Sequence, residues 1–155
     1  MVGLKDRIPL QIIEGRLVVL AAVECPSLRV RRQLIEFVID TGSPESYIGQ
    51  KDSTKLQIPV KDRREDGTVA FGGSQYKKIK LPSFTFYLLK QDNQKNDYVL
   101  LEVNLHALKT TKTSPHRVQA ADASPSILGL DFLIEQKLSL HVILTADMAY
   151  LQYED

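Results

Sequence analysis

One carboxylate in this sequence sits where acid–base chemistry is a natural use for it. Phe37-Val38-Ile39-Asp40-Thr41-Gly42-Ser43 is an apolar run ending on an acid, a hydroxyl residue and a glycine. The segment Leu34 to Ile39 reads as a strand buried on both faces near its end, interrupted on the polar side only by Glu36. A carboxylate at the end of such a strand is a candidate proton donor or acceptor. The same tetrapeptide equally suits an Asx turn, in which the Asp40 side chain bonds backbone N–H groups just downstream. Taken alone, it leaves both readings open.

A second segment tips the balance. Pro125-Ser126-Ile127-Leu128-Gly129-Leu130-Asp131-Phe132-Leu133 places branched apolar residues and a glycine directly before a predicted helix. The strand into Asp40-Thr41-Gly42-Ser43, the following Ser46-Tyr47-Ile48, a glycine-bearing hairpin and this later Ile-Leu-Gly-x-Asp-Phe-Leu together resemble the retropepsin-like aspartic proteases. The resemblance runs from about Leu17 to Leu151, and the order of its parts is far more specific than the Asp-Thr-Gly triplet. It implies an all-β fold, a closed or partly closed β-barrel of the retropepsin-like acid protease type, with one short helix near the C-terminal part.

The resemblance also implies a mechanism and a partner. Two carboxylates about 3 Å apart cannot both ionise, so such a pair holds one proton and titrates as a unit. One acts as base toward a water held between them, while its protonated mate polarises the scissile carbonyl. Only one Asp-Thr-Gly is present; Asp122-Ala123-Ser124 lacks the glycine and follows a loop. The resemblance therefore implies a homodimer in which Asp40 meets its symmetry mate. Asp40, Thr41 and Gly42 are its catalytic loop, with Thr41 cross-linking the two loops and Ser43 supporting Asp40. Ile127, Leu128 and Gly129 match the element that crosses behind that loop, and Phe71, Gly72 and Gly73 match the tip of a flap that closes over an extended peptide. The sequence departs from the family at Pro44, directly after Ser43, and in extra length between Lys90 and Pro125.

The rest of the chain supplies mainly strands, since its apolar segments are short, rich in Val, Ile, Leu, Phe and Tyr, and punctuated by turn residues. Ile8 to Ile13 and Arg16 to Glu24 flank Glu14-Gly15 and predict a hairpin. Val69 to Phe71 and Tyr76 to Leu81 predict a second, around Gly72-Gly73. Phe84 to Lys90 and Tyr98 to Leu105 predict a third strand pair. Lys109 to Ser126 reads as a long surface loop, Asp131 to Lys137 as a short helix, and His141 to Leu144 with Met148 to Tyr153 as closing strands. The basic run Arg29 to Arg32 and the mixed run Lys61 to Asp66 read as solvated loop or turn.

Composition narrows the alternatives. A chain of 155 residues, 43% apolar, with 20 basic and 19 acidic side chains, predicts a single globular domain over 1–155. The net charge of +1 provides no field for nucleic acid. Cys25 has no disulfide partner, and the three histidines (His106, His116, His141) show no metal-ligand spacing, so no metal or other cofactor is expected. The longest apolar run, Leu17 to Val23, is too short to span a bilayer, and Met1 to Glu14 lacks a signal-peptide core, so a cytoplasmic chain without membrane contact is expected. There is no Gly-x-Ser-x-Gly elbow and no P-loop. The expected activity is hydrolysis of peptide bonds in extended substrates; the alternative is a noncatalytic retropepsin-like module that dimerises or binds peptides.

Overall fold

Alternating side chains fold this chain as strands, and the computed structural model describes residues 7–61, 63–71, 74–90, 97–110 and 124–154, with Phe71 and Ser74 described as backbone only. β1 (Arg7–Ile13) and β2 (Arg16–Cys25) form the predicted hairpin, with Ile13 opposite Arg16. Both turn residues take positive φ, 50° at Glu14 and 75° at Gly15, the combination that matches strand twist in a two-residue turn.

A one-turn 3-10 segment, Pro26–Leu28, then reverses the chain into β3 (Val30–Ile39). Of the basic run expected to be a loop, Arg29 is a turn residue but the rest is strand: Val30 pairs with Cys25 and is buried, while Arg31 and Arg32 stay exposed. Burial of Val30 and Leu28 in the core outweighs the polar appearance of the segment.

After β3 come β4 (Tyr47–Ile48) and α1 (Gln50–Lys55), a helix the sequence pattern does not announce. β5 (Glu65–Phe71) and β6 (Ser74–Lys80) form the second hairpin; the expected flap residues Gly72 and Gly73 lie outside the described residues. β7 (Phe84–Leu89) and β8 (Tyr98–Val103) pair as expected. The segment read as a long loop is shorter, because Lys109 and Thr110 belong to β9 (His106–Thr110) and Ser126 opens β10 (Ser126–Leu128); residues 111–123 lie outside the described residues. The predicted helix is α2 (Leu130–Glu135), followed by β11 (Leu138–Ile143) and β12 (Met148–Tyr153).

The strands make one large sheet in the order β11-β12-β1-β2-β3-β10-β4-β9-β6-β5, with β7 also pairing β2 and carrying β8. Among the described residues, β11 and β5 are the unjoined ends of that order, so the sheet is not closed into a barrel, and there are two short α-helices instead of one. The sheet folds over a core in which Phe37 meets Phe86 (ring centroids 5.0 Å) and Phe86 meets Phe132 of α2 (6.4 Å). All three rings are fully buried, each contributing about 2–3 kcal/mol of transfer free energy. A smaller cluster of Tyr47, Tyr76 and Leu108, with Val69 against it, joins the second hairpin to β4.

Candidate active site

Asp40 is placed by a strand that is not its sequence neighbour. β10 runs parallel to β3, with Phe37, Val38 and Ile39 opposite Ser126, Ile127 and Leu128, and antiparallel to β4, with Ile127 opposite Tyr47. It thus lies between the strand that enters the Asp40 loop and the strand that leaves it. At its end the Asp40 N–H donates to the Leu128 carbonyl (3.0 Å). Ile127, Leu128 and Gly129, which the resemblance put behind the loop, are buried in this position.

Within the loop the Asx turn is present. The Gly42 N–H donates to Asp40 Oδ1 (2.9 Å), and the Ser43 N–H donates to the Asp40 carbonyl (3.1 Å). Asp40 Oδ2 takes no hydrogen bond among the described residues, so the turn uses one carboxylate oxygen and not the other. Thr41 and Gly42 are exposed, Asp40 is half-buried and Ser43 is buried. The Ser43 hydroxyl donates to the Glu45 carbonyl (2.7 Å) and not to Asp40, so the hydrogen bond between Ser43 and Asp40 is one of main chain.

Two crossed serine clamps hold the loop and β10 together, and sequence reasoning missed both. The Gly129 N–H donates to Ser46 Oγ (2.9 Å), whose hydroxyl donates to Asp131 Oδ1 (2.6 Å) in α2. Reciprocally, the Gly49 N–H donates to Ser126 Oγ (2.9 Å), whose hydroxyl donates to Asp52 Oδ2 (2.6 Å) in α1. The signal was there to be read: Ser46-Tyr47-Ile48-Gly49 and Ser126-Ile127-Leu128-Gly129 share one pattern, each with an aspartate in the helix that follows. Both glycines are forced by close approach. A Cβ on Gly129 would stand 2.4 Å from the Ser43 carbonyl oxygen and 2.5 Å from that of Glu45; one on Gly49 would stand 2.5 Å from that of Ser124.

The first turn of α2 finishes the attachment. Its N–H groups, which no helix can satisfy internally, donate to the loop carbonyls: Leu130 to Ser43 (2.8 Å) and Asp131 to Pro44 (3.2 Å). Pro44, the departure noted in the sequence, contributes its acceptor here and loses nothing by having no N–H.

Beyond the loop, Glu45 receives Lys78 Nζ on both oxygens (3.1 Å each) and the Tyr47 hydroxyl (3.3 Å). Burial above all, with the neighbouring Glu45 and Asp131 carboxylates, pushes the Tyr47 phenol up to about 12. A surface groove of about 550 Å³ is lined by Val18, Leu20, Leu34, Val38 and Lys55 among others and does not include Asp40. No group of His, Cys, Asp and Glu able to hold a metal ion occurs among the described residues. None of their helices is long and apolar enough to cross a membrane.

No protein-family model matches the chain, and no curated protein matches it. Among solved structures the fold is similar to the crystal structure of a retropepsin-like aspartic protease from Rickettsia conorii, with a TM-score of 0.56 and 18% identity, covering 97% of this chain and 99% of that one. At that identity the likeness is one of fold, and it extends over nearly the whole chain.

Proposed function

We propose that this chain is an aspartic endopeptidase that completes its active site by pairing Asp40 with the Asp40 of a second copy. The observation that carries the reading is the wedge: β10 lies between β3 and β4 and holds Asp40 by its main chain, with one carboxylate oxygen outside the loop's own hydrogen bonds. Full-length similarity of fold to a retropepsin-like aspartic protease supports it. An Asx turn needed only for structure gives no reason for two buried serine–aspartate clamps around it.

In the dimer the two carboxylates share one proton, and the ionised one takes a proton from the water between them. The water oxygen attacks the peptide carbonyl while the protonated acid donates to the carbonyl oxygen. Collapse of the tetrahedral intermediate breaks the C–N bond, and the proton passes to the leaving amine. No covalent enzyme intermediate forms. Thr41 and Gly42, exposed on the loop, are the residues for contact with the second loop, and Phe71, Gly72 and Gly73 are the proposed flap tip over an extended peptide.

The test is Asp40→Asn with a peptide library, read beside sedimentation at micromolar concentration. Loss of cleavage by at least about a hundredfold in a variant that still dimerises supports the reading. Undiminished cleavage by Asp40→Asn, or full activity from a strict monomer, overturns it.

A further inference from the structure

Three segments far apart in sequence meet at His106. Its N–H donates to the Ser46 carbonyl (3.2 Å), which stitches the start of β9 to the residue after Glu45. Its ring Nε2 lies 2.8 Å from Asp66 Oδ2 on β5, and its Nδ1 lies 3.9 Å from Glu45 Oε2 on the Asp40 loop. The groups around the imidazole are Glu45 from the loop, Asp66 from β5, Lys78 from β6 with Lys80, the register partner of His106, on the same strand, and Tyr47 from β4, whose ring is 6.5 Å away.

We propose that His106 is a positioning residue that ties the stem of the β5/β6 hairpin to the loop carrying Asp40, so that peptide binding tightens when its imidazole is protonated. The inference rests on the protease reading for its functional consequence, and on geometry alone for the tie.

The topology makes this tie different from an ordinary surface contact. β6 is fixed to the body by its ladder with β9, but among the described residues β5 is the end of the sheet and pairs with β6 only. The Asp66–His106 bond reaches past β6 and holds β5 to β9 directly. Asp66 can do so because the β5/β6 register shifts between Glu65 and Thr68, where Gly67 takes φ +99°; such irregularities re-aim a side chain. The His106 bond is also the main influence holding the Asp66 carboxyl below its usual range.

Charge sets the direction. With a neutral imidazole, Lys78 already serves Glu45, and Asp66 receives one uncharged N–H. With an imidazolium, both carboxylates gain a cation between them, and the loop, β5 and β9 are drawn to one point. Imidazole is the side chain that ordinarily changes charge between about pH 5 and 8. The groups are half-exposed, so the effect is modest, about two- to five-fold in binding.

The test compares wild type, His106→Gln and Asp66→Asn at pH 5.5 and 7.5, by amide hydrogen exchange over residues 65–71 corrected for intrinsic rates, and by KM and kcat on a cleaved peptide. Wild type is expected to protect the β5 amides about two- to five-fold better at the lower pH, with both variants losing that difference. In His106→Gln, KM at pH 5.5 should rise by a similar factor with kcat retained. A His106→Gln or Asp66→Asn variant that keeps the wild-type difference overturns the proposal, as does a fall in kcat with KM unchanged. Asp66 is exposed at the sheet edge, so its variant stands if His106→Gln fails to fold. If wild type cleaves no peptide, the protease reading falls, and the exchange measurement still decides whether His106 is the tie.

Discussion

Ser46 Oγ donates to Asp131 Oδ1 at 2.6 Å while accepting the Gly129 N–H at 2.9 Å, so the residue that closes the Asp40 loop is pinned to a helix 85 positions away. Its counterpart, Ser126 on Asp52 and Gly49, repeats the arrangement in the opposite direction. Each serine is almost fully buried, which makes the clamps costly to break.

Removing either hydroxyl leaves a buried glycine N–H without its acceptor. Ser46→Ala and Ser126→Ala are each expected to lose about 1–3 kcal/mol in urea unfolding. A double-mutant cycle between Ser46→Ala and Asp131→Ala should show strong coupling, while Ser46→Ala with Asp52→Ala should be closer to additive.

Gly129→Ala drives a Cβ into two carbonyl oxygens of the Asp40 loop, that of Ser43, which holds the Leu130 N–H of α2, and that of Glu45, which holds the Ser43 hydroxyl, so neither moves without breaking its own bond. The expected result is a loss of more than about 3 kcal/mol, or no folded protein, by thermal unfolding followed in circular dichroism. Gly15→Ala has open space around its Cβ and pays only for positive φ, about 1 kcal/mol.

Tyr47 gives the fold an alkaline limit. Its folded value of about 12 lies above the ordinary 10, so the unfolded chain releases this proton first. Its contribution to stability is complete below pH 10 and is lost as pH rises from there toward about 12. Denaturant midpoints measured from pH 9 to 12 should fall less steeply in Tyr47→Phe than in wild type.

Asp66 acts at the other end of the scale. Its folded value is lowered, chiefly by the His106 bond, so its contribution is present above the unfolded value and is lost as pH falls through the folded one, below about pH 4. Asp66→Asn should flatten the acid limb of the stability profile in that range, and an unchanged limb would count against the Asp66–His106 bond.

Phe86 joins the rings of Phe37 and Phe132, so it couples the strand that carries Asp40 to α2. Phe86→Ala is expected to cost about 3–5 kcal/mol in equilibrium unfolding.

Several of these features were readable from residues alone. The period-two burial of β7 and β8, the Glu14-Gly15 turn and the apolar run into Asp40 are local patterns, and local patterns carry their own structure. Asp40 itself stands out for the same reason, an acid where a buried strand ends. What needed the tertiary structure is everything that depends on pairing across the chain. β10 is three residues long and becomes a strand only because β3 and β4 lie on either side of it. Arg31 and Arg32 look like loop residues and are strand because Val30 finds Cys25. His106 looks like any isolated histidine until the Asp40 loop, β5 and β6 bring Glu45, Asp66 and Lys78 around it. Sequence determined that an acid ends a buried strand at Asp40; the long-range ladders and the crossed serine clamps decided where it is held, because such bonds join positions that no local propensity can connect.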